Sequence, residues 1–201
     1  MEEKEEIGIE SEPCAAPKKS TFAEDAFDMV QIFLHAIIII ALIFIFLFRI
    51  AGVHGDSMNP TLNSNDWLVL SSSENHVQRG EIVVISQPNM LNEPLIKRVI
   101  AFGGETVDIT ADGKVSVNGT VLDEPYIKEP NRTWGNIQFP HKIPEGYVFV
   151  MGDNRNESSD SRFDYIGDID QRYLVGSAKT RLFPLGKFKI VYNDIEYGID
   201  K

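Results

Sequence analysis

From Met29 to Phe48 the chain carries no charged residue, and from Ile32 to Phe48 it is apolar throughout except at His35. Twenty residues at helical rise span roughly 30 Å, the thickness of a bilayer's hydrocarbon core. A helix buried in a soluble core would normally keep a polar face, and this run has none. A cleaved leader would have a shorter apolar stretch followed by a small-x-small site. Here Arg49-Ile50-Ala51-Gly52-Val53 follows instead. The pattern predicts one uncleaved transmembrane anchor over residues 29–48.

Beyond the anchor the period changes. Trp67-Leu68-Val69-Leu70, Ile82-Val83-Val84-Ile85 and Tyr147-Val148-Phe149-Val150-Met151 are short runs rich in β-branched and aromatic residues, of strand length. Val115-Ser116-Val117 alternates between Asp112-Gly113 and Asn118-Gly119, dipeptides suited to the tight turns of antiparallel hairpins. No convincing helical period follows the anchor. The expected fold is mostly β: an antiparallel β-sheet domain over residues 49–201, with long loops, behind a single N-terminal helix.

Charge adds an orientation. The chain has a net charge of −11, and residues 1–28 hold nine of its acids against Lys4, Lys18 and Lys19. This acidic, polar tail is predicted to be disordered. Lys18 and Lys19 precede the apolar run and only Arg49 borders its far end, which places the N-terminus and its tail in the cytoplasm and the β domain outside. An acidic balance argues against nucleic acid as a partner. The single cysteine, Cys14, excludes a disulfide framework. Asn118, Asn131 and Asn156 begin Asn-x-Ser/Thr triplets, a pattern that arises often by chance.

Candidate chemistry lies in three stretches. In Gly55-Asp56-Ser57-Met58-Asn59-Pro60-Thr61-Leu62 a serine sits between a permissive glycine and a proline that fixes the chain. Such a bend can hold the hydroxyl and its own amide rigidly, the amide serving as an oxyanion donor; the same residues also suit a helix cap or an ordinary turn. In Leu95-Ile96-Lys97-Arg98-Val99-Ile100 a lysine lies among aliphatics. On a strand, Lys97 shares a face with Leu95 and Val99. Burial there lowers a lysine's pKa, by up to roughly 3–5 units, and a neutral amine can take a serine's proton. An exposed Lys97 would simply snorkel. Gly152-Asp153-Asn154-Arg155-Asn156-Glu157-Ser158-Ser159-Asp160-Ser161-Arg162 follows a strand end, where functional loops are often mounted. Asp153, Asp160, Arg155 and Arg162 can pair among themselves or with Arg98, and Ser158 can hydrogen-bond near Lys97.

In this order behind an N-terminal anchor, the three stretches resemble the bacterial type I signal peptidases, the leader peptidase family. Gly55–Leu62 resembles the family's serine box, Ser-Met-x-Pro-Thr; Lys97–Glu105 resembles its lysine box; Gly152–Arg162 matches Gly-Asp-Asn-Arg-x-x-Ser-x-Asp-Ser-Arg at every fixed position. Gln78–Val84, and Asn118-Gly119 with Glu124-Pro125-Tyr126, resemble further recurrent segments, and the likeness spans roughly residues 30–185. The resemblance implies Ser57 as nucleophile and Lys97 as general base, with Ser158 holding the lysine amine. It implies Asp153 paired with Arg98 and Asp160 with Arg162 as braces. Ser57's own amide would be one oxyanion donor. Gly55 stands where some members carry a second donor, a serine hydroxyl, and leaves a backbone amide or a water for that role. Gly55 and the single anchor are similar to the Gram-positive form.

The implied substrates are exported preproteins, cut after small residues. An extended peptide can add beside the site as a strand, and Val53, Gly55, Met58, Leu62, Leu95 and Ile96 would make its pockets shallow. Neither metal nor cofactor is called for; membrane lipid is the other expected partner. The sequence departs from the usual pattern at Glu81, Ala101, Gly103 and Glu105 and in a longer Phe163–Gly167 step. The alternatives are a catalytically inactive anchored relative acting in binding or assembly, a dedicated peptidase for pilus-type subunits, and a self-cleaving repressor of the related Ser-Lys clan, which would need a DNA-binding module in place of the anchor.

Overall fold

A computed structural model describes residues 22–71, 77–88, 91, 93–184 and 189–190. Most of the acidic tail, with Cys14, lies outside them. The chain divides between Leu42 and Ile43 into two compact units. The helix α1 runs Phe22–Leu47. It takes in Phe22–Asp28 ahead of the uncharged run, where no helix breaker intervenes. Phe48 is not helical: it pairs with Ser71 in a strand ladder. The window Asp25–Leu42 has mean hydropathy 1.9 with none of it buried, long and apolar enough to cross a membrane.

The second unit is antiparallel β. Its strands are β1 (Phe48–Gly52), β2 (Trp67–Ser71), β3 (Ile82–Ile85), β4 (Leu95–Phe102), β5 (Thr106–Ile109), β6 (Val115–Val117), β7 (Thr120–Val121), β8 (His141–Lys142), β9 (Tyr147–Met151), β10 (Ile169–Asp170), β11 (Leu174–Phe183) and β12 (Lys189–Ile190). The larger sheet has the order β1-β2-β11-β3-β4-β9-β10, with β12 beside β11; the smaller is β7-β6-β5-β8. Among the described residues after α1 the only helical turn is a 3-10 turn at Gln171–Tyr173.

Alternation along β9 sorts the core. Phe149 and Met151 pack with Val107, Val115 and Val117 of the smaller sheet, whereas Val148 and Val150 pack with Val83, Ile85, Ile169 and Leu174. A third cluster gathers Val53, Met58, Leu62, Leu68, Leu70 and Ile82. β6 turns into β7 through Asn118 and Gly119, both at positive φ (49° and 82°), the requirement of a type I′ turn.

Residues 122–140 join β7 to β8 without regular structure and strap the loop after β9. Asn131 is buried in this strap, its Nδ2 donating to the Gly113 carbonyl and its Oδ1 accepting from Arg162, so its triplet presents no free amide. The two acids that depart from the family pattern are both paired. Glu105 takes Arg79 in a two-point contact at 2.7 and 3.1 Å and accepts the Phe102 N–H, and Glu81 pairs with Lys179.

Candidate active site

Ser57 lies in the turn between β1 and β2. The turn is closed by Asn59 N–H to the Asp56 carbonyl and Leu62 N–H to the Met58 carbonyl. Met58 and Leu62 are sunk in the third apolar cluster and anchor it from below. Val53 and Asp66 tie its two ends together.

Lys97 projects from β4, flanked at two-residue spacing by Leu95 and Val99, both in an apolar cluster. It is 4% exposed. Its Nζ lies 2.7 Å from Ser57 Oγ and 3.2 Å from the Ile96 carbonyl. Burial pushes its pKa down to about 8, against the opposing pull of Asp160 and Asp153. At pH 7 roughly one amine in ten is then neutral and able to accept the Ser57 proton.

The loop after β9 reaches this pair from the other side. Arg98, next along β4, donates through Nε and Nη2 to the two carboxylate oxygens of Asp153 at 2.8 and 2.6 Å. Thr61 of the serine turn donates to the same carboxylate at 2.5 Å. Asp160 takes Arg162 in a two-point contact and accepts the Gly152 N–H. Burial alone would raise its pKa, but the Arg162 pairing outweighs that and holds it below the usual carboxylate range.

Asn154 clasps the Ser57 turn. Its N–H donates to the Ser57 carbonyl at 3.0 Å and its Nδ2 to the Asp56 carbonyl at 3.1 Å. Gly152 passes so close that a Cβ there would lie 2.5 Å from the Ser57 carbonyl oxygen and 2.3 Å from Ser158 Oγ. The sequence reading named neither residue individually, nor Thr61, although each occupies a fixed position of its box.

Ser158 is adjacent but does not hold the lysine by a hydrogen bond. Its Oγ is buried and completes none among the described residues. It is near enough to Asp160 to help hold that acid down, without the geometry of a bond. The ties on Lys97 Nζ are Ser57 Oγ and the Ile96 carbonyl. Arg155 turns away from the loop acids to Glu124 of the strap.

A cleft of about 1120 Å³ opens over Ser57 and Lys97, and Val53, Gly55, Met58, Leu95 and Ile96 line it. Leu62 does not; it is fully buried in the core beneath the turn. Gly55 N–H faces Ser64 Oγ at 3.3 Å.

This arrangement can run acyl transfer: a hydroxyl beside a partly neutral amine, both lining one cleft. The model of the family "Signal peptidase, peptidase S26" matches residues 26–183. Signal peptidase I of Leptolyngbya laminosa is 39% identical over 146 residues, 67% of this chain and 68% of that one. Signal peptidase I of Bacillus licheniformis is 33% identical over 183 residues, 86% of this chain and 97% of that one. A crystal structure of a signal peptidase I from Enterococcus faecalis V583 is 30% identical and aligns over 51% of this chain and 97% of that one, with a TM-score of 0.42. The chain belongs to the signal peptidase I family of S26 serine peptidases.

Proposed function

We propose that the chain is a membrane-anchored endopeptidase that removes signal peptides from exported preproteins, cleaving after small residues with Ser57 and Lys97 as its dyad. The observation that carries this reading is the 2.7 Å contact between Ser57 Oγ and a buried Lys97 Nζ. Neutral Lys97 takes the hydroxyl proton as Oγ attacks the scissile carbonyl, and the Ser57 amide donates to the developing oxyanion. Lys97 then gives its proton to the leaving amine. It next takes a proton from the water that hydrolyses the acyl-enzyme. Val53, Gly55, Met58, Leu95 and Ile96 supply the wall that admits only small side chains. The apolar helix ending at Leu47 anchors the enzyme, the N-terminal tail faces the cytoplasm, and residues 48–201, with β1 complete, work outside the membrane. Family membership and the apolar helix support this arrangement.

The test is to incubate the purified chain with a preprotein and locate the cut by mass spectrometry. Ser57→Ala, Lys97→Ala and Lys97→Arg each lose activity by about a thousandfold or more while folding normally, arginine because it stays protonated. Turnover by a folded Ser57→Ala protein removes Ser57 as nucleophile. In the wild type, kcat/KM rises with pH through an inflection near 8 as Lys97 loses its proton; a flat profile removes Lys97 as base.

A further inference from the structure

The segment Glu124-Pro125-Tyr126 lies in the strap between β7 and β8, outside both sheets, and the chemistry above gives it no part. Its side chains close a ring of contacts around the turn that clasps Ser57. The Arg98 guanidinium lies over the Tyr126 ring, 3.9 Å from its centroid, while it grips Asp153. The Tyr126 hydroxyl donates to Glu124 Oε1 at 2.8 Å. Glu124 receives Arg155 at 3.0 and 2.6 Å, and Arg155 Nε donates to the Gly152 carbonyl at 2.9 Å. Between Asp153 and Arg155 in the chain is Asn154, whose N–H and Nδ2 donate to the Ser57 and Asp56 carbonyls.

We propose that Tyr126 and Glu124 are positioning residues for the nucleophile: through Arg98 and Arg155 they press the 152–155 turn against Ser57 and keep Arg98 seated on Asp153. The inference rests on the dyad reading. A guanidinium stacked on an aromatic face is held in plane, so that both of its donors stay on one carboxylate. Glu124 and Arg155 are 5% and 0% exposed in their side chains, so neither is replaced by water without loss.

A merely structural role would lower stability alone, since Tyr126 also packs on an apolar cluster. Positioning leaves a second mark. The charges acting on Lys97 are Asp160, Asp153 and Arg162, and Asp56 and Glu157 line the same cleft. An Arg98 freed from the ring neutralises Asp153 less, Asp153 holds the lysine proton harder, and the pH profile moves upward.

The experiment measures kcat, KM, pH profile and melting temperature for full-length wild type, Tyr126→Leu, Tyr126→Phe and Glu124→Gln on one peptide substrate. Tyr126→Leu is expected to lose about tenfold to hundredfold in kcat at a KM within about twofold of wild type, with the inflection raised by roughly half a pH unit. Tyr126→Phe keeps the ring over Arg98 and retains most of kcat and the wild-type inflection. Glu124→Gln, similar in size, loses about tenfold in kcat and carries the test if Tyr126→Leu does not fold. A folded Tyr126→Leu with wild-type kcat and inflection overturns the inference, as does a Tyr126→Phe as impaired as Tyr126→Leu, or an unaffected Glu124→Gln. A wild type that cleaves nothing overturns the dyad reading itself.

Discussion

A single methyl group at Gly152 would collide with both the Ser57 carbonyl and Ser158 Oγ. Gly152→Ala is therefore expected to push the Ser57 turn away from Lys97. The expected result is a folded protein with kcat down about a hundredfold and KM nearly unchanged, read by steady-state kinetics. Lys97 has the opposite relation to stability. Its pKa falls from 10.5 in the open chain to about 8 when folded, so between those values the unfolded chain binds more protons and stability rises with pH. Below pH 8 the buried charge costs about 3 kcal/mol. Lys97→Met should be inactive yet more stable at pH 7 by up to that amount, with a flatter stability profile from pH 8 to 10.5; urea melts at pH 7 and 10 check both. The aliphatic flank made the burial of Lys97 legible in the sequence. The clasp by Asn154 was not, because its partners Asp56 and Ser57 lie nearly a hundred residues away and no local pattern encodes such a pairing.

At the level of elements, short β-branched and aromatic runs located β2, β3 and β9, and the alternation of Val115-Ser116-Val117 between turn dipeptides located β6; β4 was legible only as a conditional strand around Lys97. β1 was hidden because Phe48 continues an apolar run that suits helix and strand alike. β11 was hidden for the opposite reason. Its Lys179 and Arg181 read as exposed, yet they pair with Glu81 and with Asp66 on neighbouring segments. Such pairs hold turns to strands. The Arg79–Glu105 pair does so for the β4–β5 turn, with side chains 5% and 19% exposed. Glu105→Ala leaves the guanidinium without that carboxylate and is expected to cost about 3 kcal/mol. Chemical denaturation measures the loss, and kcat per folded molecule stays at the wild-type value because Glu105 is remote from the dyad in the bonding network.

At the scale of the whole molecule, the anchor's contribution separates from the chemistry. A fragment of residues 48–201 keeps β1 complete. It is expected to cleave a short soluble peptide as the full chain does, but to lose most of its activity on a membrane-inserted preprotein, because the anchor confines enzyme and substrate to one plane. Side-by-side assays on both substrates decide this: equal loss on both means that the helix supports folding, and no loss on either means that it does not position the site. The sheet order has a further consequence, for synthesis. β11 inserts between β2 and β3, so the strand that follows the Ser57 turn and the strand that precedes β4 are joined only by a segment near the far end of the chain. A ribosome must deliver residues up to about Phe183 before that sheet can close. Until then the Ser57 turn is tied toward β4 only by contacts such as Thr61 on Asp153 and Asn154 on the Ser57 carbonyl, without the strand that joins their sheets. Order of synthesis thus places Ser57 and Lys97 in the chain well before the strand that closes the sheet around them.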